Sequence, residues 1–250
     1  MFLIFFSCGK KVSKEETDTL TSGKIEVSVD ESFQPIIEQE IFIFENKFPE
    51  AEILPVYTNE VNAINLLLRD SVRLTIATRK LSENEKKSLE SRKLIARETK
   101  IATDGIAIIV NKASKDSLIT VSQLQKIMTG EVTNWNQIYP SSSSKEIKLV
   151  FDNANSSTVR FAIDSICKGK PLSKNLYAQK KNDEVIEYVA KTPNAIGVIG
   201  VSWIGNKADT TRLSFLDNVK LMSVSAEDVA TVENSYKPYQ AYLALSQYPL

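Results

Sequence analysis

The sequence predicts an α/β fold, and three observations carry that reading. Strand-like runs alternate with helix-like runs from residue 25 to residue 247, the order expected of layered strands and helices. Two of the strand runs, 105–110 (GIAIIV) and 195–201 (AIGVIGV), are apolar throughout, as strands covered on both faces are. No internal repeat of solenoid period interrupts the pattern. With 250 residues and 42% hydrophobic content, the chain can bury a sizeable core as one large domain or as two lobes.

The elements follow in order. Residues 25–29 (IEVSV) alternate apolar and polar, a strand pattern. The loop Asp30-Glu31-Ser32-Phe33 comes next, and Pro35 stands where a first helical residue would. Phe33, Ile37, Ile41, Phe44 and Phe48 then mark one face of a helix. Residues 52–57 form a second strand. The loop Thr58-Asn59-Glu60 opens a helix with Val61, Ile64, Leu67 and Leu68 on one face. Residues 72–77 (VRLTIA) alternate again and end in Thr78-Arg79. Open α/β sheets bind ligands at the C-terminal ends of their strands, which suits Arg79 to a cleft, although surface arginines are common.

Ser82 with Glu85 makes a capping box for a polar helix reaching Arg92. After the buried run 105–110, Thr120 with Gln123 makes a second box, with Val121, Leu124, Ile127 and Met128 turned inward. Residues 130–135 (GEVTNW) form a turn whose Trp135 belongs in a core. Residues 141–144 are an exposed serine loop. Residues 147–151 (IKLVF) form a buried strand, and 182–190 a helix with Val185, Ile186 and Val189 at helical spacing. The strand 195–201, a weaker strand at 219–224 and a helix at 239–247 complete the order.

Residues 151–161 (FDNANSSTVRF) hold the densest chemistry. Ser156, Ser157 and Thr158 sit where a strand ends and a helix begins. Unpaired N–H groups at a helix start favour an anion, the hydroxyls add donors, and Arg160 follows within one turn. The same residues also suit ordinary capping, with Arg160 as a solvated charge.

Composition narrows the function classes. Lys plus Arg equals Asp plus Glu at 31 each, so no global charge attracts nucleic acid. Histidine is absent and there are two cysteines, which argues against a zinc site and removes the commonest general base. Ser156 with Asp152 can be imagined as a nucleophile pair, but without an activating base an enzyme is not expected. The start, MFLIFFSC, is too short to span a bilayer and has the look of the end of a secretory apolar region. Its Ser-Cys ending resembles a bacterial lipobox, making Cys8 a lipidated N-terminus and residues 9–22 a tether; a disordered cytosolic terminus is the alternative. Cys167 is expected to be a small buried hydrophobe.

Four stretches together resemble the phosphate-binding proteins of bacterial ABC transporters: ITVSQLQKIMTGEVTNW (119–135), TPNAIGVIG (192–200), SSTVRF (156–161) and DESF (30–33). The resemblance covers most of residues 24–205 in order. It implies a two-lobed type II periplasmic-binding fold that closes on its ligand, with segments crossing near 103–105 and 203–208. Residues 1–23 would then be signal remnant and tether, 24–104 with 205–250 the first lobe, and 105–204 the second. It implies capture of inorganic phosphate outside the cytoplasm by a lipid-anchored monomer, delivery to a membrane permease, and no cofactor, metal or catalysis. Alternatives are another oxyanion or phosphorylated solute, a sensory or surface scaffold, and a phosphatase-like enzyme.

Carried over by position, Ser32 and Phe33 would serve the anion from lobe one, and Ser156, Ser157 and Thr158 from lobe two. The family's usual Asp is replaced at Thr78-Arg79, its usual Arg at Asp152, and its second loop at Asn59-Glu60-Val61-Asn62. Arg79 is therefore expected to pair with the anion or with Asp152. Glu60 or Asp152 is expected to accept a proton-bearing oxygen, favouring monohydrogen phosphate over sulfate. The family continues past the position of Leu250, so a truncated or incomplete lobe is expected.

Overall fold

A computed structural model describes residues 18–142, 145–205 and 216–250. Cys8, Ser143, Ser144 and the crossing expected at 206–208 lie outside these.

The first lobe is built from β1 (Gly23–Asp30), α1 (Gln34–Lys47), β2 (Ala51–Thr58), α2 (Glu60–Leu68), β3 (Leu74–Ile76) and α3 (Glu83–Glu90). Its sheet is parallel in the order β2-β1-β3, with Val29 beside both Tyr57 and Ile76. The helices start where the local chemistry says they should. Pro35 lies in the first turn of α1, Asn59 caps α2 through the Asn62 N–H, and Ser82 and Glu85 cap α3 reciprocally. A 3₁₀ turn, Glu31–Phe33, joins β1 to α1.

The second lobe follows with β4 (Ile106–Asn111), β5 (Leu118–Thr120), α4 (Val121–Thr129), β6 (Lys148–Phe151), α5 (Ser157–Phe161), β7 (Tyr177–Ala178), α6 (Asn182–Lys191) and β8 (Ala195–Gly200). The remaining elements are β9 (Val219–Leu221), β10 (Ser223–Ser225) and α7 (Gln240–Ala244). The main sheet has the order β7-β6-β8-β4-β9, with β4 antiparallel to β8 and β9; β5 and β10 pair as a separate parallel ribbon. α5 runs on into a π turn, Ala162–Ile166. The helix that begins at Ser157 is therefore α-helical only as far as Phe161.

The pairing of β9 corrects the expected lobe boundaries. Residues 219–225 join β4 and β5 rather than returning to the first lobe, and Tyr248 donates its hydroxyl to the Ile106 carbonyl at 2.8 Å. The physical reason is the apolar edge of β4, which Val219 and Leu221 cover. Leu216 N–H also bonds the Ile204 carbonyl at 2.9 Å, so the chain leaves and re-enters on the same lobe.

Period-2 alternation sorts the second core into two layers. Ile106, Ile108, Leu149, Phe151, Ile196 and Val198 face one side with α4, while Ala107, Ile109, Val150, Ala195 and Ile199 face α6 on the other. Trp135 belongs to the first layer at 8% exposure, as expected, and gives its indole N–H to the Asn194 carbonyl at 3.1 Å. Cys167 is fully buried there. The first lobe has a much smaller core of Ile64, Leu81 and Leu89.

Gly105 shows where close approach excludes a side chain. A Cβ there would lie 2.6 Å from the Leu250 carbonyl oxygen and 2.9 Å from a Leu243 methyl. Gly105→Ala is therefore expected to lower stability by about 1–3 kcal/mol through overpacking. A urea midpoint equal to wild type would show that residues 243–250 yield freely.

Candidate functional site

The C-terminal end of β1 meets the start of α5, bringing residues from both lobes together. Ser32 and Ser157 place their hydroxyls 3.1 Å apart. The Ser32 carbonyl accepts the Ser202 hydroxyl at 2.5 Å, and Gly200 passes so close that a Cβ there would stand 3.2 Å from that carbonyl. The turn Glu31–Phe33 is thus seated against the end of β8. Phe33 is half-buried and forms the N-terminal boundary of α1.

Asp152 organises the second-lobe side. Its Oδ1 accepts the Ser156 hydroxyl at 2.6 Å and the Thr158 hydroxyl at 2.5 Å, and its Oδ2 accepts Asn182 Nδ2 at 3.1 Å. Ser156 Oγ also accepts the Val159 N–H at 3.2 Å, so Ser156 caps α5. Each hydroxyl has one proton, and those of Ser156 and Thr158 lead to Asp152. That leaves Ser157 as the residue of the three whose hydroxyl faces the first lobe.

Asn182, at the start of α6, links this side to the first lobe. Its backbone N–H and Nδ2 donate to Glu31 Oε1 at 3.1 and 2.7 Å, and its Oδ1 accepts the Gly200 N–H at 3.1 Å. Lys181, the preceding residue, supplies no side-chain cap to α6, so the Glu31 carboxylate does so from across the interface.

A second polar group joins the lobes. Arg160 Nε donates to Glu60 Oε2 at 2.6 Å, and its Nη2 to Glu60 Oε1 at 3.2 Å and to the Thr78 hydroxyl at 2.5 Å. Thr78 gives Glu60 both its N–H, at 3.1 Å, and its hydroxyl. Glu60 is 1% exposed and both of its oxygens are engaged. Arg160 is therefore not simply a solvated charge.

The expected pairing of Arg79 with Asp152 is not formed. Arg79 instead grips Glu85 through two parallel bonds of 2.8 Å. Glu85 lies six residues downstream and is fixed by the capping box of α3, so a local partner satisfies the guanidinium. Asp152, in turn, accepts from Ser156, Thr158 and Asn182. The expectation that Glu60 accepts a ligand proton meets the same obstacle, since Arg160 and Thr78 engage both of its oxygens, whereas Oδ2 of Asp152 accepts one bond, from Asn182.

Burial sets the electrostatics. It pushes the Asp152 carboxyl up to about 6, against the help of Ser156 and Thr158 and with the charges of Glu31 and Asp30 adding to the rise. Burial likewise raises Asp30 and Glu31, which the hydroxyl of Ser157 and the amide of Asn182 respectively ease. Burial opposes ionisation of Glu60 too, but Arg160 and Thr78 outweigh it and hold this carboxyl below its ordinary value. Arg79 holds Glu85 down to about 2.

Four residues of the site were not singled out as site residues from sequence: Asp30, Glu31, Arg160 and Asn182. Asp30 and Glu31 fall within the DESF stretch, and Arg160 follows the hydroxyls within one turn. Asn182 carried no signal, because a first helical residue is ordinary.

Comparison with known proteins agrees with this architecture. A family model described as PBP superfamily domain matches residues 14–250. The phosphate-binding protein PstS of Borreliella burgdorferi is 30% identical over 155 residues, covering 58% of this chain and 52% of that protein. The PstS of Bacillus subtilis is 25% identical over 223 residues, covering 88% and 69% respectively. The chain spans about half the length of the first curated relatives it matches. A Clostridium perfringens crystal structure with bound phosphate, assigned to a phosphate ABC transporter substrate-binding protein, superposes with a TM-score of 0.75 at 22% identity. It covers 91% of this chain and 83% of that one. With a two-lobed α/β fold and a family match running from residue 14 to residue 250, this chain belongs to the PBP superfamily.

Proposed function

We propose that this protein captures inorganic phosphate between its lobes and delivers it to the membrane permease of an ABC transporter. The observation that carries the reading is the meeting of Ser32 and Ser157, hydroxyls from different lobes 3.1 Å apart at the C-terminal end of β1. Ser32 and Ser157 would supply hydroxyl donors, Phe33, Ser157 and Thr158 backbone N–H donors, and Arg160 and Arg79 the positive charge. An oxyanion held by aimed dipoles needs no full charge neutralisation and no covalent step. The protein would work outside the cytoplasm as a monomer, tethered through a lipid on Cys8. Another oxyanion or a phosphorylated solute is a second reading, because the buried carboxylates of Asp30, Glu31 and Asp152 act on one another's charge and would oppose a dianion.

Calorimetric titration with phosphate and then sulfate at pH 7 tests the proposal. Phosphate should bind, and more tightly than sulfate. Ser157→Ala should weaken it about tenfold, ~1.4 kcal/mol. Arg79→Ala should weaken it less, because Glu85 already engages that guanidinium. Absence of heat with either anion, from folded protein, would remove phosphate as the ligand and leave the fold in search of another solute.

A further inference from the structure

The face of the first sheet beneath α2 is only partly covered. Register sets Val56 beside Ser28, so Leu54, Val56 and Thr58 of β2 lie on the same face as Ser28. α2 is fixed over the central strand, where the Ala63 carbonyl accepts the Ser28 hydroxyl at 2.8 Å and Ala63 and Ile64 are buried. β2, at the sheet edge, is left beside an open groove of about 250 Å³ lined by Val56, Thr58, Asn62, Asn65, Leu66 and Arg69. Its four α2 residues follow the i, i+3, i+4, i+7 spacing of one helix face. Leu54, exposed on the same sheet face, extends the apolar floor.

The polar groups of this groove are unspent. Arg69 has no acidic partner, because the neighbouring Asp70 carboxylate lies 3.5 Å from Arg73 instead. Among the described residues the side chains of Thr58, Asn62 and Asn65 also make no hydrogen bond; only the Asn62 backbone N–H is used, by the Asn59 cap. The wall that carries them is held at both ends. Asn59 caps the first turn of α2, and Arg92 donates to the Leu68 carbonyl in the last. The edge of β2 is itself blunted against a pairing strand: Glu45 takes the Ile53 N–H at 2.8 Å, and Pro55 has no N–H.

We infer that this groove is a second binding site, and that it takes the C-terminal end of an extended peptide. Arg69 holds the terminal carboxylate through parallel N–H donors, Asn62 and Asn65 pair with backbone amides, and Val56 and Leu66 receive an apolar side chain. The donor and acceptor inventory selects this class. A guanidinium offers donors alone and calls for an anionic acceptor. Each carboxamide offers one oxygen and one NH₂, the complement of a peptide group. Phosphate or sulfate is rich in acceptors and leaves the two amide oxygens unmatched. Length agrees as well: from Asn62 to Arg69 the helix rises about 10 Å, which about three extended residues span. None of the six residues bonds to Ser32, Ser157 or Arg160, so the inference does not rest on the phosphate reading.

The test is a titration of isotope-labelled protein with the tripeptide acetyl-Ala-Ala-Leu, as the free acid and as its C-terminal amide, followed through backbone NMR shifts at neutral pH. The free acid should shift the amides of β2 and α2 at millimolar concentration or below, and the amidated form should bind at least ~tenfold more weakly. Arg69→Ala should weaken the free acid ~tenfold and leave the amidated form unchanged, whereas Asn65→Leu should weaken both. Excess phosphate should leave the titration as it is. Equal binding of acid and amide by wild type overturns the inference, as does the absence of shifts in β2 and α2 or their confinement to the surroundings of Ser32 and Ser157. Displacement of the peptide from α2 by phosphate overturns it too, since the groove would then select for anions alone. These wild-type comparisons decide the matter even if a variant fails to fold.

Discussion

Arg160→Ala is expected to lower stability by about 3 kcal/mol, because it leaves Glu60 buried without its guanidinium. The figure sits at the low end for breaking such a pair, since the Arg160 side chain is 34% exposed while that of Glu60 is 2% exposed. The loss should be selective. Adding Glu60→Gln removes the stranded charge, keeps an oxygen to accept from Thr78, and should recover a large part of the stability. Urea unfolding of wild type, the single variant and the double variant would measure this. If the double variant is no more stable than Arg160→Ala, the stranded charge is not the cause. The same pair is one of the links between the lobes, so the single variant should also loosen their closure.

Stability is expected to fall as the pH rises from about 4.5 to about 7, opposite to the usual behaviour of paired carboxylates. Asp152 stands at about 6 in the fold against an ordinary 3.8. Between those values the native state holds a proton that the unfolded chain has released. Its contribution is present in full below 3.8 and is lost as pH rises through 6, on the order of 3 kcal/mol. Asp30 and Glu31 are raised in the same direction by burial. Glu85 works in reverse: held down to about 2 by Arg79, it supports the fold above 4.5 and fails as pH falls through 2. The window above pH 4.5 therefore isolates the buried acids. Chemical unfolding across it should show a declining midpoint in wild type and a flatter one in Asp152→Asn. A wild-type midpoint that rises through the window would defeat the assignment.

Much of the fold was legible because its signals are local. The all-apolar runs at 105–110 and 195–201 became β4 and β8, each buried along its whole length. The capping boxes of Ser82–Glu85 and Thr120–Gln123 both formed. What stayed hidden is non-local. Arg160 meets Glu60 from 100 residues away, and Asn182 meets Glu31 from 151, distances over which spacing carries no information. Arg79 misled for a different reason. Its partner, Glu85, was read only as a cap, yet one carboxylate serves both the Ser82 N–H and the guanidinium. The lobe boundary failed where β9 added to an apolar edge that no helical or strand period announces.

The unequal cores have a consequence for the proposed capture. The second lobe has packed layers on both faces of a five-stranded sheet, whereas among the described residues the buried cluster of the first centres on Ile64, Leu81 and Leu89. Local opening costs least where few apolar contacts are lost, so the first lobe is the weaker cooperative unit. A solute gripped by both lobes would add its binding free energy to that unit by mass action. The weaker lobe would then resist proteolysis and amide exchange in proportion to ligand concentration, and the protein would be sturdiest when it carries a ligand.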